Sequence, residues 1–135
     1  VGVRARATVN PKYSDFLWTA LSSIWGALTR GQYATALKLL GMLISWLPPS
    51  LKEDFIPRTN LIMSSLDRIG SGDLEVMNEI TDPNILRLYK IDLMDTYSSM
   101  AIPDLVSDLG DALQEGGYME FQRISPVATS VPPGD

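Results

Sequence analysis

Four carboxylates toward the C-terminal end of the chain, Asp104, Asp108, Asp111 and Glu115, recur at three- and four-residue spacing, which lines them along one face of a helix. Clustered carboxylates can exchange protons, hold a hard cation or dock a basic surface. A calcium loop needs closely alternating oxygen ligands around a turn glycine, and this run has no such loop, so no metal is expected here. Carboxylates without further site geometry do not make a glycosidase either. Like charges at this spacing repel. The uses that fit are solubility and the docking of a basic patch on a partner, with Asp104 favoured by the positive end of the helix it would begin.

Tryptophan forms the second set. Trp18 and Trp25 are seven residues apart and share a helix face rotated from the stripe of Leu17, Ile24 and Leu28, while Trp46 closes the next apolar segment. Core packing is the ordinary use of such side chains. Exposed, they are the residues that dominate protein interfaces. The candidate partner-binding residues are therefore Trp18, Trp25, Trp46, Asp104, Asp108, Asp111 and Glu115.

Other chemistry is excluded by residue type. With no cysteine there is no thiolate nucleophile, zinc knuckle or disulfide, and with no histidine the commonest general base and soft metal ligand are missing. The glycines form no phosphate-cradling loop and sit where helix caps explain them. Arg4, Arg6 and Lys12 are a thin footprint for nucleic acid on a chain of net charge -5, so nucleic-acid binding is not expected. The chain reads as non-catalytic and free of cofactors.

The elements that must position these residues read as helices. Breaks at Asn10-Pro11 and Gly31 bound a first helix, capped by Ser14 or Asp15 and repeating apolar residues from Phe16 to Leu28 at three and four. The second segment, from Gln32 to Leu47, has only Thr35, Lys38 and Ser45 as a polar strip, which predicts a helix covered on several sides. Pro48-Pro49 ends it. Ser50-Leu51-Lys52-Glu53 has the pattern of a capping box, and Pro57 is expected to end or kink the turn that follows, before a helix from Leu61 to Gly70.

Asp73 is expected to cap a short helix reaching Ile80, and Pro83 to open a long one with Ile85, Leu88, Tyr89, Asp92, Leu93, Thr96 and Met100 as its inward stripe. Ile102-Pro103-Asp104 is read as a break before a last helix that buries Leu105, Val106, Leu109, Ala112 and Leu113. The spacing leaves 118–124 undecided between a helical turn and an extended segment.

Three segments echo one another. In Leu28-Thr29-Arg30-Gly31-Gln32-Tyr33, Ile69-Gly70-Ser71-Gly72-Asp73-Leu74 and Leu113-Gln114-Glu115-Gly116-Gly117-Tyr118, an apolar residue is followed three on by glycine and two further by another apolar residue. The first continues as Ala36, Leu37, Leu40 and Pro48, which resembles the second helix of a tetratricopeptide hairpin. That resemblance covers one hairpin and implies a helical repeat. The spacing itself asks only for helix-ending turns with a left-handed glycine.

Charge is unevenly distributed: through residue 72 there are 8 basic and 4 acidic side chains, and from 73 onward 3 and 12. A molecule polar in this way can assemble head to tail.

Together these features predict an all-α fold, a compact bundle of five or six short to medium helices around Leu37, Leu40, Leu43 and Ile44. It would have an extended N-terminal arm (1–11), a single helical domain (12–124) and an extended proline-rich tail (125–135). The expected function is protein–protein interaction through the aromatic face, the acidic helix face, or both. Self-assembly as a coat, matrix or scaffold subunit is the alternative, and peripheral membrane contact through 33–47 is a less favoured third. Residues 1–10 lack the apolar run of a secretory signal, so the chain reads as soluble, intracellular and cytoplasmic by default.

Overall fold

The structure, a computed structural model, describes residues 9–120. The arm through Thr8, the tail and most of 118–124 therefore lie outside the described residues. Those described are all-α, with no strand among them. Helix α1 spans Pro11–Thr29, α2 Tyr33–Ser45, α3 Pro49–Ser71 and α4 Pro83–Glu115, with a 3-10 turn at Glu75–Glu79 between the last two. Among the described residues there are four α-helices, where five or six were expected.

Helix starts are set by different residues from those the pattern suggested. The Asn10 side-chain oxygen accepts from the amides of Lys12 (2.9 Å) and Tyr13 (3.1 Å), so Asn10 is the cap of α1 and Pro11 its first residue, where a missing N–H costs nothing. Ser14 and Asp15 fall inside the helix. Ser50 forms no capping box either: α3 begins one residue earlier, at Pro49, and the Pro48 carbonyl accepts from the amides of Leu51 and Lys52. Asp73 caps no α-helix, since Leu74 precedes the 3-10 turn and makes no side-chain cap. Pro83 does open α4, with the Asp82 carboxylate accepting from the Asn84 amide at 2.8 Å.

Two interior prolines fail to break their helices. Helix α3 runs through Pro57 and α4 through Pro103. An interior proline costs about 3 kcal/mol in a lost hydrogen bond and a steric clash. Ile102, Leu105, Val106 and Leu109 are all buried around Pro103, and each such side chain contributes about 1.5–3 kcal/mol by leaving water. Burial outweighs the local cost, so the two expected helices become one of 33 residues. At Pro57 the same argument rests on Phe55 and Ile62, and the buried Thr59 hydroxyl donates to the Phe55 carbonyl at 2.9 Å.

The three echo segments are true helix ends with a shared hydrogen-bond pattern. Gly31, Gly72 and Gly117 have φ of 73°, 78° and 84°. In each case the next amide (Gln32, Asp73, Tyr118) donates back over the helix end to the carbonyl of Ala27, Arg68 or Leu113. This is the 6→1 bond of a Schellman cap. In the third segment the left-handed residue is Gly117, one position beyond the expected Gly116.

The chain divides into two compact units, one built within the described residues from 9–19 and 110–120, the other from Ala20–Leu109. Helices α1 and α4 contribute to both. In the first unit Ser14, Leu17, Leu113 and Met119 are buried, and the Glu120 amide donates to the Ser14 hydroxyl at 3.2 Å. Tyr13 stacks on Phe16 and meets Tyr118 edge-on, with ring centroids 6.2 and 6.5 Å away.

In the second unit α2 buries Ala36, Leu40, Leu43 and Ile44, and Leu37 is only half-buried. Helices α3 and α4 run antiparallel: Arg58 meets Asp108, Gly70 faces the Met94 thioether and Gly72 faces the Lys90 side chain. The exposed side of α2 is the expected strip of Thr35, Lys38 and Ser45, widened by Ala34, Gly41 and Met42, and the remaining residues of the helix are buried or half-buried.

Candidate protein-binding surfaces

The tryptophans have three different environments. Trp18, in the first unit, is half-buried, and its indole N–H is buried with no hydrogen-bond partner among the described residues. Trp25, in the second unit, is 40% exposed. Trp46 follows the last residue of α2 and is 67% exposed. One turn earlier, Met42 is 57% exposed and shares the open strip with it. Met42 was not singled out in the sequence, although its spacing of four from Trp46 was legible there.

The acidic residues also separate. Asp104 and Asp108 belong to the second unit and face Arg58 of α3, whose guanidinium lies 2.8 Å from the Asp108 carboxylate and 4.0 Å from that of Asp104. The same guanidinium sits 5.6 Å from the centroid of the Phe55 ring. Arg58 thus ties α3 to α4 by charge and by stacking on its own helix. Asp111 and Glu115, in the first unit, are exposed. All four carboxylates are exposed, and Asp108, with Asp104 at longer range, also pairs with Arg58.

The inward stripe expected for the first half of α4 does not point inward. Ile85, Leu88 and Met100 are exposed, Tyr89 and Leu93 half-buried. The face resting on α3 is instead rotated toward Lys90 and Met94. Two apolar stripes compete along this segment, and composition could not rank them.

A shallow polar depression near the end of α3 is lined by Arg68, Gly72, Asp73, Leu74, Glu75 and Asn78. Arg68 is already engaged there, 3.8 Å from the Asp73 carboxylate and 3.4 Å from its carbonyl. Among the described residues no group of three or more acidic side chains could hold a metal ion, and no helix is long and apolar enough to cross a membrane. Compared with known proteins, the chain matches no protein-family model, and no curated protein or solved structure is significantly similar to it.

Proposed function

We propose that the protein is a non-catalytic interaction module that binds a protein partner through the Met42–Trp46 strip and the neighbouring helix faces. The observation that carries this reading is a tryptophan two-thirds exposed beside an exposed methionine on a strip whose other residues, Lys38 apart, are small. Leaving a large aromatic in water forgoes burial worth about 1.5–3 kcal/mol. Tryptophan is the residue most enriched among interface hot spots, and methionine adapts to irregular partner surfaces. Alanine, threonine and glycine around the pair let a partner approach the helix closely. Trp25 and the solvent-facing pair Asp111 and Glu115 are secondary contributors in this reading.

The test compares the proteins captured by the full chain with those captured by Met42→Ser/Trp46→Ser, each quantified by mass spectrometry. Both positions are more than half exposed, and circular dichroism and the melting temperature check that the variant is folded. The reading expects a discrete set of partners lost with the pair. Equal capture by the two chains counts against it. The acidic contribution is tested with Asp111→Lys/Glu115→Lys, because a lysine at position 108 would face Arg58 and disturb the fold.

A second reading, self-assembly, is favoured by one specific observation: the excess of basic residues before position 73 and of acidic residues after it. Such a charge distribution supports head-to-tail contacts between copies.

A further inference from the structure

Along α4, Leu88, Ile91, Asp95, Ser98, Ile102, Leu105 and Leu109 recur at alternating steps of three and four, the spacing that keeps residues on one seam of a helix pair. From Ser98 onward the seam is buried by the protein's own core. Before it, the same seam is open: Leu88 is 59% and Ile91 51% exposed, with Ile85 exposed beside them. The opposite side of this half of the helix is the one that meets α3, through Lys90 and Met94. The helix therefore carries a seam that is apolar at Leu88 and Ile91, polar at Asp95 and Ser98 and apolar again from Ile102, and the fold covers only its C-terminal part.

We propose that the open part of the seam, centred on Leu88 and Ile91, is a homodimer contact in which α4 of a second copy crosses it in parallel. The flanking charges select that occupant. Arg87 immediately precedes the seam residue Leu88, and Asp92 immediately follows Ile91, so they lie on opposite flanks. In a parallel helix pair the residue on one flank meets, on the partner helix, the residue five further along on the other flank. That rule places Arg87 of each copy against Asp92 of the other, twice by symmetry. Both side chains are exposed, and among the described residues the Arg87 guanidinium reaches only the Asn84 side-chain oxygen, at 3.5 Å. A basic helix from another protein would satisfy Asp92 and Asp95 but set Arg87 against like charge.

The contact is short. Asp95 is the next seam residue and would face its own copy, and beyond it Ser98 and Ile102 are already buried. The two helices must diverge there. One pair of apolar layers with two ion pairs makes a weak, transient dimer, with a dissociation constant of roughly 100 µM.

Sedimentation velocity of the full chain, from about 5 µM to about 1 mM at low salt, tests this. The expected result is a monomer–dimer equilibrium abolished by Leu88→Asp and by Ile91→Asp. Arg87→Asp or Asp92→Arg alone weakens it about tenfold, and the two together restore it to within about threefold. Asp95→Leu adds an apolar layer and tightens it about tenfold. A chain that stays monomeric overturns the proposal, including one that is monomeric yet binds a basic amphipathic peptide. So does a dimer indifferent to Leu88→Asp, or a double charge reversal no better than either single one. The Met42–Trp46 reading does not depend on this surface, and failure of either leaves the other standing.

Discussion

Tyr13 is where residue chemistry gives a pH-dependent expectation. Burial in the first unit raises its pKa above the ordinary 10.0, and the nearby Tyr118 phenol adds to the rise. The folded state thus holds this proton more tightly than the unfolded chain does. The resulting stabilisation is fully present below the unfolded value and is lost as pH rises through the folded one. Denaturant unfolding followed from about pH 9 to about 11.5 should show wild type losing stability more steeply than Tyr13→Phe. Parallel alkaline curves for the two chains would remove the effect. Asp108 shows the complementary case, in which a carboxylate expected to dock a partner is paired within the fold, with Arg58 at 2.8 Å. Its charge was legible, but that pairing depends on α3 and α4 lying antiparallel, and no local pattern encodes that.

At the scale of elements, the left-handed glycines separate two costs of a side chain. A Cβ at Gly31 would meet nothing within 4 Å, whereas at Gly72 it would approach the Lys90 side chain to 3.3 Å. Gly31→Ala therefore carries only the cost of holding alanine at positive φ, about 1 kcal/mol. Gly72→Ala carries that cost and also displaces Lys90, so it should be the more destabilising of the two in a denaturant titration. Equal losses would show that Lys90 yields freely. These turns were readable in sequence because glycine acts locally, through its own φ. Pro57 and Pro103 were misread for the converse reason: a proline's local preference is fixed, but whether it prevails depends on how much burial the surrounding helix gains. The capping pattern at Ser50 failed similarly, since Pro49 supplied a helix start that needed no side-chain acceptor. Of the candidate surface, the tryptophans and carboxylates were legible as types. Which of them face solvent depends on how the helices pack, and no local pattern encodes that.

For the whole molecule, the uneven charge is partly consumed within a single copy. Arg58 and Arg68 come from the basic part of the chain, and they pair with Asp104, Asp108 and Asp73 from the acidic part. Each such pair lowers the charge left for contacts between copies. Head-to-tail assembly must then rely on residues such as Lys12 on α1, Arg30 in the turn after it and Lys38 on α2, all exposed, acting on the carboxylates that remain in solvent. Interactions between exposed charges are screened over about 10 Å at 0.1 M salt. An apolar contact such as the one at Leu88 and Ile91 is not weakened in this way, because it depends on area removed from water. The two modes of association should therefore part as ionic strength rises. In light scattering, any species larger than a dimer should dissolve between about 20 mM and about 500 mM salt, while the dimer loses only the contribution of its two ion pairs. Large assemblies that survive high salt would mean that charge does not hold them together, and an apolar surface such as Met42 and Trp46 would then be the one joining the copies.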